Sequence, residues 1–269
     1  PWYVIPACIF LVAIERFQVS TIWALVLAGS LYGFSVEGII VWQMYEALPF
    51  TISWTPLGWH VLIDVLLGWY WVRRILLRGS YWQTAILATT LGVFWGVWGT
   101  WYGVEQPLIS PVLFGEFALI TGGLWVMANA ALTPLIGSDF KPTNGEIWGV
   151  LVLATIVFMV QIVPLLPIAL FVLPPLLGLT LLALKRHQLT TTQPMLLSTL
   201  QGQVNWVTSG LLMVTPIVAV LTYSICYHSP DVSLVTTEIL APILMLAGFV
   251  VYGVSIWQTA IHQPRQSQV

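Results

Sequence analysis

Five ionisable residues stand inside long apolar stretches of this 269-residue chain: Glu37, His60, Asp64, Glu116 and Glu238. A charge embedded in a bilayer costs on the order of 3 kcal/mol, and such residues are kept where they pair, bind a cation or move a proton. His60 and Asp64 are four residues apart, so a helix puts them on one face, where a carboxylate sets the imidazole tautomer and raises its basicity. Glu37 follows Ser30 and Gly33 on its own helical face, and small residues there let a neighbouring backbone approach closely. The second and third apolar stretches are therefore predicted to pack together and to bring Glu37, His60 and Asp64 to one place. Two chemistries suit that set. His60 can be a general base oriented by Asp64 with Glu37 as the acid, or one divalent metal can be held by Glu37, His60 and Asp64, with Glu116 as a further ligand. Glu238 is a further candidate. A purely structural role needs neither, because a protonated carboxyl group bonded to a hydroxyl or carbonyl can hold helices together.

Composition dictates the scaffold for these groups. The chain is 58% hydrophobic and only 7% charged, with a mean hydropathy of +0.92, whereas soluble domains carry about 25% charged residues. Lipid offers no hydrogen bonds to a backbone, so spanning elements are helices or a closed barrel, and these apolar runs lack the period-two alternation of a barrel. The predicted fold is an all-α, polytopic transmembrane helical bundle forming a single domain over residues 1–269, with no soluble domain. Stretches of about 20 apolar residues, the length that crosses the hydrocarbon core, give about nine spans. They lie near 1–15, 20–44, 56–72, 81–102, 111–136, 147–163, 165–184, 204–227 and 233–258. Pro164 and Pro167 separate the sixth from the seventh, since a helix cannot run unbroken through both.

Lys and Arg accumulate in cytoplasmic loops. Arg16, then Arg73, Arg74 and Arg78, then Lys141, then Lys185 and Arg186, and finally Arg265 all fall in alternate loops. The loops around Glu46, Glu105, Pro164 and Asp231 hold no basic residue. The N-terminus is thus predicted to be non-cytoplasmic and the C-terminus cytoplasmic. At a rise of about 1.5 Å per residue, Glu37, His60, Glu116 and Glu238 come out roughly 8–10 Å below the non-cytoplasmic surface, with Asp64 nearer the midplane. Trp2, Tyr3, Trp54, Trp101, Tyr102, Trp148 and Tyr227 sit near span ends, where amphipathic rings anchor at the headgroup level. Trp69, Trp71, Trp95 and Trp98 either pack helix on helix or form an aromatic cage. Cys8 and Cys226 fall in different apolar runs and read as small core residues. The chain begins at Pro1, which leaves room for a preceding stretch. No cleaved signal peptide is expected, because Glu15 and Arg16 follow the apolar run where small residues would be needed.

Several functions drop out. A formal charge of −2 gives no basic surface for nucleic acid. His60 is the single histidine in the membrane core, which excludes a bis-histidine haem and leaves a three-histidine zinc or di-iron centre short of ligands. Retinal is excluded because no Lys lies inside a span. HExxH, GxSxG, P-loop and dinucleotide motifs are absent. Three functions remain, and the sequence does not decide whether the chain is an enzyme. The first is a membrane-embedded enzyme acting on a lipid or isoprenoid, with its site near the non-cytoplasmic face. The alternatives are a proton- or cation-coupled small-solute transporter and a non-catalytic subunit of a larger membrane complex. The expected partners are membrane lipids or complex subunits, and the expected location is a membrane such as the bacterial cytoplasmic membrane.

Overall fold

The computed structural model describes residues 2–101, 107–135, 140–229 and 235–261. Tyr102, Glu105, Asp231, His262 and Arg265 lie outside them, and with them part of the sequence argument for anchoring and topology. The described residues are helices and connecting turns, with no strand among them. In chain order the main helices are α1 (Val4–Arg16), α2 (Ile22–Ser35), α3 (Trp54–Trp71), α4 (Val72–Arg78), α5 (Tyr81–Trp98), α6 (Pro111–Leu135), α7 (Asn144–Val157), α8 (Ala169–Thr190), α9 (Trp206–Leu211), α10 (Val214–Tyr227) and α11 (Ala241–Ile256).

Among the described residues, six helical segments are long and apolar enough to cross a membrane: Ile22–Ile40, Pro111–Leu132, Asn144–Ile162, Ala169–Thr190, Trp206–Tyr227 and Glu238–Ala260. They coincide with six of the nine predicted spans. The other three predicted spans are helical as well, but α1 is only 13 residues long. In α3 and α5, Trp, Tyr, Gly and Thr dilute the apolar residues, and α3 also carries His60 and Asp64.

The chain divides into two compact units. The first comprises Pro1–Trp69, Phe140–Thr199 and Leu244–Val269, and α2 is its central helix. Of the Ile22–Ile40 segment, 83% is buried within the protein, including Leu25, Leu27, Ala28, Leu31 and Phe34, so it is apolar on every side, as a helix surrounded by other helices must be. α1 and α8 pack against it. α3 crosses α2 where a Cβ on Gly33 would collide with the Pro56 carbonyl oxygen, so only glycine lets the two backbones meet there. On another side of α3, a Cβ on Gly58 would come within 2.8 Å of the Leu244 carbonyl, and the Ser53 hydroxyl donates to the Met245 carbonyl. At the far end of the unit, the Ser20 N–H donates to His187 Nε2 at 3.3 Å and the Ser20 and Thr191 hydroxyls are 2.6 Å apart, joining the start of α2 to the end of α8. His187 is thereby a core residue.

The second unit comprises Tyr70–Asp139 and Leu200–Ile243. In it α10 packs against α5 and α6 around Phe114, Ala118, Ala219 and Tyr223, with the Phe114 and Tyr223 rings stacked 4.0 Å apart. Arg73 is fully buried here. Its guanidinium donates to the carbonyls of Leu200, Gly202 and Asn129, which ties α4 to the loop before α9. The Asn129 side chain donates to the Trp125 carbonyl on its own helix rather than across helices, whereas the Asn205 amide does reach another segment, at the Tyr81 hydroxyl. Both cysteines are free, Cys226 buried and Cys8 partly so.

Overpacking at the α2–α3 crossing is expected to be costly. Gly33→Ala should destabilise the protein by about 1–3 kcal/mol, measured by equilibrium unfolding in mixed micelles. Gly123→Ala, where nothing lies within 4 Å of the added carbon, should be neutral or better. Equal stability of the two variants would mean that the two backbones do not meet at Gly33.

Candidate functional site

The crossing of α2 and α3 sets the register of both helices beyond it. One turn past Gly33, α2 runs into the segment Val36–Ile40, and this segment and all of α3 are wound with wide, i→i+5 turns. Such turns are rare and recur at functional sites. Glu37 lies on the first of these wide elements, and His60 and Asp64 on the second. Glu37 Oε1 is 2.8 Å from His60 Nε2, and His60 Nδ1 is 2.7 Å from Asp64 Oδ2. The three predicted residues therefore form one continuous chain, carboxyl, imidazole, carboxyl, within the first unit. Glu116 and Glu238 belong to the second unit, and both side chains are exposed there.

Burial is graded along the trio. The side chains of Glu37 and His60 are 5% and 7% exposed, while that of Asp64 is 37% exposed. Glu37 Oε2 is fully buried and has no hydrogen-bond partner among the described residues. An orphaned buried oxygen of this kind costs about 1–3 kcal/mol, and it is cheapest when the carboxyl group is neutral or an outside donor meets it. Immediately after Glu37 the packing is tight: a Cβ on Gly38 would press on Met44, the Tyr45 hydroxyl and Leu173, and the Tyr45 hydroxyl donates to the Gly38 carbonyl at 2.9 Å.

Each of the two N···O contacts needs one proton between its atoms, so the trio holds at least two. With both on the imidazole, one positive and two negative charges leave a net −1, and a third proton on a carboxyl oxygen makes the trio neutral. Because both ring nitrogens are engaged, His60 has no lone pair to offer a substrate or a metal, and a metal ion would have to replace one of the two hydrogen bonds. Among the described residues no group of three His, Cys, Asp or Glu is arranged around a common point as ligands. The arrangement is suited to passing a proton along its length, with the two carboxyl groups at its ends as the points of contact with anything else.

Tyr32 does not stand out by residue type. Its ring meets the His60 ring edge to face, with centroids 5.5 Å apart, a contact between two helices that no local pattern announces. Phe10 from α1 packs on Tyr32 at 6.3 Å and on Trp69 at 5.4 Å, so the ring cluster extends along α3. Of the two readings of Trp69, the contact with Phe10 of α1 is the packing of helix on helix.

The class this defines is a chain whose described residues are all-helical, with six helices of membrane-crossing length among them and a buried glutamate–histidine pair extended by an aspartate. Compared with known proteins, the chain matches no family model, no curated protein and no solved structure.

Removing one end of the relay should strand the other. Glu37→Leu leaves His60 Nε2 buried without a partner and is expected to cost about 1–3 kcal/mol, while Glu37→Gln keeps a polar atom in reach and should cost clearly less. Equilibrium unfolding of both variants checks this, and a Leu variant as stable as the Gln variant would contradict the hydrogen-bonded trio.

Proposed function

We propose that the chain is a multi-pass integral membrane enzyme that performs general acid–base chemistry on a lipid or isoprenoid substrate through Glu37, His60 and Asp64. In this reading it crosses a membrane such as the bacterial cytoplasmic membrane about nine times, with its C-terminus cytoplasmic and the relay in the non-cytoplasmic half. The observation that carries the proposal is the imidazole bonded at both nitrogens to carboxyl groups of unequal exposure. Asp64, the open end, exchanges a proton with the substrate. His60 passes the compensating proton, and Glu37, the closed end, holds or releases it. The roles differ from a simple base–orienter pair: His60 is the positioning and relay group, and Asp64 is the residue that meets the substrate. A positioned acid or base of this kind contributes about 10²–10⁴-fold in rate.

A second reading, proton- or cation-coupled transport, is favoured by a different observation, the unpartnered Glu37 Oε2, which is a place for a coupling proton or cation. One experiment separates them. Purified protein in nanodiscs is incubated with total membrane lipid, and the extract is compared by mass spectrometry with incubations of Asp64→Asn and Glu37→Gln. The enzyme reading expects a lipid species converted by the parent at least about 100-fold faster than by Asp64→Asn. Absence of any conversion, together with a pH-gradient-driven solute flux in proteoliposomes that Glu37→Gln abolishes, would establish transport instead. If neither occurs and the chain always co-purifies with fixed partners, it is a subunit of a larger complex.

A further inference from the structure

The open end of the relay is bordered by rings. Asp64 and Trp69 are five residues apart on a helix wound with i→i+5 hydrogen bonds, about one turn. Both are partly exposed, as is Tyr32, while Phe10 lies buried behind Tyr32 and Trp69. The Tyr32 ring also stands edge to face with His60, the residue bonded to both Asp64 and Glu37. A carboxyl group that can be reloaded with a proton thus lies about one turn from Trp69 and shares the neighbour His60 with the Tyr32 ring, and all three residues are partly exposed.

The chemistry of the neighbours selects the substrate. Cleavage of an ester or phosphate ester develops negative charge on oxygen and needs several donors or a cation aimed at it. The imidazole N–H groups are already committed to carboxylates, and the nearest basic residues along the helix, Arg73 and Arg74, are engaged with backbone carbonyls and with Tyr70 and Trp71. Aromatic faces do the opposite: they stabilise positive charge. Positive charge on carbon arises when an acid protonates a carbon–carbon double bond. It is most accessible where that bond is trisubstituted, as in isoprenoid chains, because the cation is then tertiary.

We infer that the Asp64, Tyr32 and Trp69 face receives an isoprenoid chain from the bilayer and that the enzyme moves its double bond by protonation and deprotonation. The inference rests on the acid–base reading given above and names its substrate class. Protonated Asp64 gives its proton to one alkene carbon, using the π electrons of the double bond and leaving a tertiary carbocation on the other carbon beside the rings. The Asp64 carboxylate then removes a proton from a neighbouring carbon, and that C–H pair of electrons forms the shifted double bond. The acid is regenerated, nothing is oxidised or reduced, and no co-reactant is consumed. Tyr32 and Trp69 act by contact with the cation, and His60 and Glu37 keep Asp64 supplied.

The test uses the full chain in nanodiscs in deuterated water, with squalene and geranylgeraniol as probes and squalane, which has no double bond, as control. Protonation and deprotonation write solvent deuterium into the recovered olefin, read by mass spectrometry. The wild type should label an olefin over time and leave squalane unlabelled, and Asp64→Asn should fall to background. Tyr32→Leu and Trp69→Leu should each slow labelling by about thirtyfold, the worth of a desolvated cation–π contact expressed as a rate. Tyr32→Phe, which keeps the ring and loses the hydroxyl, should label nearly as fast as the wild type. Each variant is first checked for an unchanged unfolding midpoint, and Tyr32→Phe serves as the folded reference if Tyr32→Leu is unstable. No deuterium in either olefin, or equal labelling by Asp64→Asn, overturns the inference. If the wild type converts some other lipid while leaving olefins unlabelled, the acid–base reading stands and the isoprenoid assignment falls. If it converts nothing, both fall.

Discussion

The absence of one Cβ sets the geometry of the first unit. At Gly33 the backbone of α2 lies against the Pro56 carbonyl, so closely that any side chain would collide with it. In a membrane, helices have little hydrophobic reason to associate, and close backbone approach with its dispersion contacts replaces that force. Pinning α2 to α3 at Gly33 and Pro56 holds the helices together within about one turn of Glu37 and of His60, whose Oε1 and Nε2 lie 2.8 Å apart. A larger residue at position 33 would separate the helices, and two buried polar groups would lose the partner that makes their burial tolerable. Packing and polar chemistry are therefore one constraint here.

The wide turns on both helices belong to the same account. Inside α2 and α3 an i→i+5 winding shifts each succeeding side chain around the axis relative to an α-helix, and it leaves carbonyls less well satisfied. Its occurrence at Val36–Ile40 and along Trp54–Trp71, the two elements that carry the trio, aims Glu37 at α3 while His60 and Asp64 still meet four residues apart. The cost is a less regular backbone in a solvent that does not forgive open hydrogen bonds. In the Val36–Ile40 segment that irregularity is surrounded by other helices, as the burial of Val36, Glu37, Gly38, Ile39 and Ile40 attests.

Much of this is legible in the amino-acid sequence, for a definite reason. In lipid the range of permitted structures is narrow, so apolar length alone locates helices, and six predicted spans recur as helices of crossing length. Small residues beside a buried acid imply a close neighbour, and the spacing of His60 and Asp64 implies a shared face, which together predict the convergence of three residues from two helices. Register and exposure are not legible in the same way. Nothing in residue type says that a helix will wind with i→i+5 turns, or that Tyr32 will meet His60 on another helix. Depth within a span says nothing about which side of a helix faces its neighbours, so Glu116 and Glu238 look equivalent to Glu37 in sequence, although both are exposed in the second unit. Arg73 reads in sequence as a topological marker. Its burial among backbone carbonyls depends on a loop 127 residues away along the chain, a relation no local pattern carries.

Placing an imidazole between two carboxyl groups solves a problem that two carboxyl groups alone would not. In a medium of low dielectric constant, the expense of a charged site depends on its net charge far more than on where the protons within it rest. Two carboxylates facing each other can share one proton, but taking up or losing that proton changes the net charge and incurs the whole desolvation penalty. With His60 between them, a proton accepted at Asp64 still changes the net charge by one, but a proton moved from Nε2 to Glu37, or the reverse, redistributes charge along the trio with no further change. The burden of a changed charge then falls on Asp64, the member with 37% of its side chain exposed, and not on Glu37, with 5%. A relay built this way can act at one end while its other end stays sealed, which is the condition for proton chemistry inside a membrane.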